Sequence, residues 1–480
     1  MVDPISTPWP QARPARIAVL CGYMTYYEPH MPAGFRDQRV AWGQKITEIV
    51  ATEGEARFFG LMTDAGVGEE VARALMQWRP DVLLLAPAMP GPPAFTWRAI
   101  ASLPRVPAVV WSAGHLDTLP QSYDSVDHLA NSGGVGVAMI GNLLARDGRG
   151  MRVVAGRWYD EQAQHRVREA VRLAAVAGRM ASARVAVLGA PLDGYSNVVI
   201  APELLSSALG ATLVDIPLGE WEHAFAQTSQ EDAEAVATVL RTRIAVDDAE
   251  GEDFRRSSKL AAALRTICDR YDADCGTFNS HLEFGHANEK IGLVGGMATS
   301  WMTSNGAPFT DTGDTVSALA MLLARLLAGN AIYTELNTID YGRDAILCAN
   351  TGEIDFTATV EGRSWVFPAA AYTGRRQRGC IVDAEVRTGP ATIIGFSPNG
   401  RARSGVKLIA FAGTVTGRPE LALRVPHTLF RPATTDAATA FAGWIEAGAT
   451  HHAALCVGGD YRAEVAEIGR LLGIDVETIA

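Results

Sequence analysis

The sequence has no CxxC pair. Its cysteines, Cys21, Cys268, Cys275, Cys348, Cys380 and Cys456, are scattered singly along the chain. That spacing argues against a zinc finger or a disulfide framework and predicts unpaired thiols in a reducing compartment. There is no Lys/Arg-rich run, and the net charge is −11, which argues against nucleic acid or an anionic membrane as the main partner. No stretch of about 20 uninterrupted apolar residues is present, so no membrane span is expected. The opening stretch "MVDPISTPWPQARPAR" is Pro-rich with no apolar centre, so no secretory signal is expected and a cytoplasmic location is. GxGxxG and GxxxxGK[ST] are both missing, which counts against a nucleotide-dependent enzyme. No solenoid-type repeat is visible.

What is present is ordinary for a globular enzyme: 480 residues, 48% hydrophobic and 20% charged. A chain of this length predicts two or three domains. "ARIAVLCGY", "PDVLLLAPAMP" and "VPAVVWSAG" read as buried parallel strands alternating with helices, the pattern of an open, doubly wound sheet. The pattern restarts at "ARVAVLGAPLDGYSN" and "ATLVDIP". From about residue 345 short β-rich runs separated by Gly and Pro take over, as in a barrel or sandwich. The expected fold is therefore α/β. Two N-terminal open-sheet domains, residues 1–165 and 166–345, precede a β-rich, barrel-like domain over 346–480.

The densest chemistry lies in "FTDTGDTVSALAMLLARLLAGNAIYTEL", residues 309–336. Asp311 or Thr312 is the expected N-cap of the apolar helix that follows, with Asp314 in its first turn, where acidic residues complement the helix dipole. Glu335 ends "AIYTE", a short run expected to be a buried strand. A carboxylate there needs a metal, a cation or a proton. "ATHHAALCVGGD" places His451 and His452 at the start of an apolar strand. Alternation along a strand predicts that only one of them faces a given site. "NSHLEFGHANEK" gathers Asn279, His281, Glu283 and His286 in one loop without matching a zinc motif. In "NSGGVG", Asn131 and Ser132 open a helix whose backbone amides suit a polar ligand. "VLGAPLDGYSN" offers Asp193 and Tyr195 at a strand-end turn.

In their order along the chain, these segments resemble the L-fucose isomerase / L-arabinose isomerase superfamily, from about residue 80 onward. The family's acidic block and its later His-His pair followed by Gly-Asp are similar to "TDTGDTVSALAMLLARLLAGNAIYTE" and "THHAALCVGGD". "LANSGGVGVAMIGNLLARDGRGMRVVAG" is similar to its stretch near the substrate. The resemblance implies metal-dependent aldose–ketose isomerisation through an enediolate, with Mn2+ or another divalent cation held by two carboxylates and a histidine. It also implies a small-molecule sugar substrate and a symmetric homo-oligomer.

Carried over by position, Asp311, Glu335 and His452 are the expected metal ligands, with Asp311 and Glu335 also catalytic. His451 is the alternative imidazole. Aligned on Gly313-Asp314, the first carboxylate falls on Thr312, and shifted by one residue it falls on Asp311. Asn350 stands where the arabinose-type branch has a further imidazole, so the fucose-type branch is the better match. Asn131, Ser132, Asp193, Tyr195, His281, Glu283 and His451 are the expected substrate contacts. The alternatives are an epimerase or lyase on a sugar or sugar acid, and a catalytically inactive sugar-binding protein.

Overall fold

The computed structural model describes residues 13–103, 105–249, 251–370 and 376–479. Most of the Pro-rich N-terminal stretch therefore lies outside the described residues. The chain forms two compact units. The first is Arg13–Ala181 joined by Glu467–Gly473, and the second is Ser182–Ala466 joined by the residues from Ile474.

In the first unit, β1 (Ala15–Gly22), β2 (Gly54–Met62), β3 (Val82–Leu85), β4 (Ala108–Gly114) and β5 (Met151–Arg157) make one sheet in the order β2-β1-β3-β4-β5. Every pairing in it is parallel. The all-buried "VLLL" of β3 reflects a strand covered on both faces. Helices Pro93–Ile100, Gly133–Arg146 and Glu161–Ala181 pack against this sheet. Residue 165, expected to end a domain, falls inside the last of these helices.

The second unit continues with β6 (Arg184–Leu188), β7 (Thr212–Asp215), β8 (Ala245–Val246), β9 (Cys275–Phe278) and β10 (Phe309–Asp311). Four of these form a second parallel sheet, ordered β10-β9-β6-β7. The β-rich region supplies β11 (Ile332–Asp340), β12 (Ala345–Ala349), β13 (Thr359–Ala370), β14 (Arg376–Val386), β15 (Gly389–Pro398), β16 (Val406–Gly417), β17 (His427–Pro432), β18 (His452–Val457) and β19 (Asp475–Thr478). Six of them, β15-β18-β11-β12-β17-β16, close into an antiparallel barrel through the β15–β16 pairing. Closure removes the exposed edges that an open antiparallel sheet would carry. β19 adds in parallel to β16. β13 and β14 leave the barrel and pair with each other, with β8 adding to β13, a division that the uniform β-rich texture did not reveal.

One helix, Thr315–Ala328, packs on both β9 of the parallel sheet and β15 and β18 of the barrel. Twelve of its 14 residues are buried, which is why its sequence is apolar all round rather than striped. Gly329 closes it at φ 71, a left-handed position that glycine adopts without a Cβ penalty. Arg325 in its last turn is buried. Its guanidinium donates to Asp355 Oδ2 and Thr357 Oγ1, both at 2.9 Å, while Asp355 Oδ2 also accepts from the N–H of Ala331 at 2.8 Å.

The six cysteines are free and buried, and burial pushes thiols such as Cys348 and Cys456 up to about 12. Among the described residues no helix is long and apolar enough to cross a membrane.

Breaking one half of a buried ion pair leaves the other charge stranded. Asp355→Ala should therefore lower stability by about 3–5 kcal/mol in denaturant unfolding. A loss under about 1 kcal/mol would show that the pair is as dispensable as a surface one.

Candidate functional site

The acidic block folds as a strand end, a tight turn and a helix start. Asp311 is the last residue of β10, and Thr312 and Gly313 then take left-handed φ values of 64 and 78. A Cβ on Gly313 would sit 2.5 Å from the backbone N of Pro191, so the close approach and the φ both require glycine. A β-branched residue at positive φ, as at Thr312, is a strained conformation of the kind concentrated at functional sites. The helix cap is not Asp311 or Thr312 as expected. It is Asp314, whose Oδ1 accepts from the N–H of Ser317 at 2.7 Å. The residues before it are used up in ending β10 and turning the chain.

Asp314 has a second partner. Its Oδ2 is 2.8 Å from Nδ1 of His452 and accepts from the Tyr333 hydroxyl at 3.1 Å, and that hydroxyl is 2.7 Å from the same Nδ1. The ring is thereby fixed with Nε2 turned away, 3.5 Å from Glu335 Oε1. The antiparallel register of β11 and β18 places Glu335 directly opposite His452, where side chains on one face meet. Glu335 does not end its strand, which continues to Asp340, and it belongs to the barrel while Asp311 belongs to the parallel sheet.

Burial pulls the His452 imidazolium down, but the hydrogen bonds and charges of Asp314 and Glu335 overrule it and hold the pKa up at about 9. Glu335 is correspondingly held below the usual carboxylate range by the His452 hydrogen bond. Burial, then Asp314, pushes the Tyr333 phenol well up, so it stays neutral.

The expectation that only one of the paired histidines faces the site does not hold. β18 begins at His452, so His451 precedes the strand and escapes its alternation. Both rings line the same cavity, with centroids 4.0 Å apart. The donor atoms of Glu335, His451 and His452 lie within 4.8 Å of one another. Two imidazoles and a carboxylate suit a divalent first-row cation, and an imidazole whose far nitrogen meets a carboxylate is a recurring way of orienting a metal ligand.

The cavity encloses about 540 Å³. Asp311 lines it but lies outside that three-residue cluster. Its oxygens accept from the N–H and hydroxyl of Ser280, at 3.0 and 2.7 Å, and from the N–H of Thr312 at 2.7 Å. His281 Nε2 is 3.8 Å from Asp311 Oδ2. Tyr195 reaches the cavity and stands beside His451, with ring centroids 6.1 Å apart, while Asn197 Nδ2 is 3.1 Å from His451 Nδ1.

Two other expected residues lie outside the cavity wall. The side chains of Asp193 and Glu283 are exposed and do not line the cavity. Asn131 and Ser132 belong to the first unit, at the junction of helices Ser125–Asn131 and Gly133–Arg146. Their side chains donate to Asp127 O at 2.8 Å and to His128 O, so these polar atoms are used in ending a helix. Sequence reasoning missed Glu353 and Tyr333. Glu353 lines the cavity at 3% exposure, and burial, then the neighbouring Asp311, pushes its carboxyl well up. Its one sequence signal is its position three residues after Asn350 in "LCANTGE".

Set against known protein families and curated proteins, the chain matches no family model and no curated sequence.

His452 generates a pH prediction for the metal-free protein. Its folded pKa lies above the ordinary 6.5, so its contribution is full below 6.5 and is lost as pH rises through about 9. That contribution is on the order of 3 kcal/mol. In EDTA, unfolding free energy should fall between those pH values, and His452→Gln should flatten the fall. An unchanged slope in the variant would assign the pH dependence to other groups.

Proposed function

We propose that this cavity is the active site of a divalent-metal-dependent aldose–ketose isomerase. The observation that carries the reading is the convergence of Glu335, His451 and His452 beside Asp311, with Asp314 orienting His452 from behind. The same segments carry the resemblance to the L-fucose isomerase / L-arabinose isomerase superfamily, and the geometry supports that reading with one adjustment. Glu335, His451 and Nε2 of His452 would hold the cation, and Asp311 stands beside them as the proton-transfer group. Bound there, a divalent cation supplies Lewis acidity to neighbouring oxygens of the sugar.

Isomerisation needs no external oxidant. A proton leaves the hydroxyl-bearing carbon, the electron pair redistributes over the two-carbon unit, and a proton returns to the former carbonyl carbon. The hydroxyl proton passes from one oxygen to the other. Asp311 is the group proposed to move the carbon proton, as general base and then acid. Ser280 and Thr312 hold its carboxyl in place through three hydrogen bonds, so little reorganisation is needed at the moment of transfer. Glu353, kept protonated by burial beside Asp311, is placed to donate a hydrogen bond to a substrate oxygen.

The test is ketose formation from a panel of aldopentoses and 6-deoxyaldohexoses, with Mn2+ and with EDTA. Mn2+-dependent turnover of at least one member is expected. Glu335→Gln should reduce it by at least about a hundredfold, and Asp314→Asn should weaken Mn2+ binding about 10- to 100-fold with the fold intact. Bound Mn2+ without turnover of any member would favour an epimerase or lyase. Absence of Mn2+ binding would favour a sugar-binding protein.

A further inference from the structure

The cavity wall is chemically lopsided. Among the described residues its titratable lining consists of Asp311, Glu335, Glu353, Tyr195, three histidines and one arginine or lysine, Arg424. Arg424 lies between β16 and β17, is exposed, and has its guanidinium carbon 4.6 Å from the centre of the Phe367 ring. It makes no ion pair or side-chain hydrogen bond with any described residue, so all five N–H donors are available. Stacking on an aromatic face preorganises a planar guanidinium for bidentate contact with a carboxylate or phosphate.

A second vacancy points the same way from the interior. Glu353 lines the cavity wall at 3% exposure, and its buried Oε1 has no hydrogen-bond partner among the described residues. A buried polar atom left unpaired is costly, and a ligand hydroxyl would satisfy it. The remaining titratable lining among the described residues is acidic, imidazole or phenolic, so the one permanent cation that could meet an anionic group on a ligand is Arg424.

From this arrangement we propose that the cavity takes a polyhydroxylated substrate carrying an anionic group, with hydroxyls meeting Glu353 and the carboxylate or phosphate meeting Arg424. The inference rests on the isomerase reading for which end reacts, but not for the charge preference itself. Gln377, also in the wall, is a further neutral donor of the cavity.

The experiment is calorimetric titration of the full-length, Mn2+-treated protein. The probes are a series of neutral aldoses, each paired with its uronate and its terminal phosphate. One anionic member should bind at least about tenfold more tightly than its neutral counterpart, and whether that member is a uronate or a phosphate identifies the group. Arg424→Gln should bring that ratio to about one, and Arg424→Lys should keep part of it, both with unchanged Mn2+ affinity. Charge preference that survives in Arg424→Gln would overturn the proposal, as would neutral sugars binding as well as anionic ones, or no anionic member binding at all. Charge preference without Mn2+ binding or turnover would sink the isomerase reading and leave this one standing.

Discussion

The two oxygens of Asp314 are committed in opposite directions, Oδ1 to the backbone of its own helix and Oδ2 to the imidazole of His452 on the barrel. With no solvent exposure, this carboxyl has no water to fall back on, so both partners must be in place for it to be tolerated. That requirement couples the start of a helix, the end of a parallel strand and the first residue of a barrel strand. It also fixes which imidazole nitrogen faces the cavity, a question that ligand identity alone leaves open. Replacing Asp314 by a residue that only caps would preserve the helix and release the ring.

The helix that Asp314 opens behaves as a spine with a charge anchor at each end. Its last turn holds Asp355 through Arg325, and Asp355 lies two residues after Glu353. The segment that presents Asn350 and Glu353 to the cavity is thus tied to the helix that positions His452. Turns with positive φ at Thr312 and Gly313 fit between a strand and a helix whose places are already set by packing. Strain of about 1–3 kcal/mol at one such residue is sustainable where the surroundings over-determine it.

Much of this was legible in the sequence. The continuous apolar runs marked the parallel strands, and Gly- and Pro-punctuated β runs marked the barrel region. The resemblance of their segments grouped Asp311, Glu335 and His452, and all three line one cavity. What local pattern cannot carry is pairing. Nothing near Glu335 says that it will lie opposite His452, because that register is set by a contact far along the chain. The period of two misplaced His451 for a related reason, since alternation holds only where the strand has begun. A motif also assigns one role per residue, so Asp314 read as helix chemistry and its grip on His452 went unseen. Glu353 has only its closeness to Asn350 as a sequence signal and Arg424 has none, and only the fold makes them neighbours of the site.

Electrostatics explains why the site can hold so many acids. Asp311, Glu335 and Glu353 face one cavity, and like charges so placed cannot all be ionised without compensation. The protein resolves this unevenly. Glu335 is paired with an imidazole whose pKa is raised by that same pairing, while Glu353 is forced to keep its proton by burial beside Asp311. The result is one carboxylate beside a cation, one neutral acid, and one carboxyl held by three hydrogen-bond donors. Three chemically similar side chains thereby acquire different electrostatic and hydrogen-bonding surroundings. If a divalent cation binds here, Glu335, His451 and Nε2 of His452 would hold it and its charge would compensate Glu335, while Asp314 would keep the ring oriented.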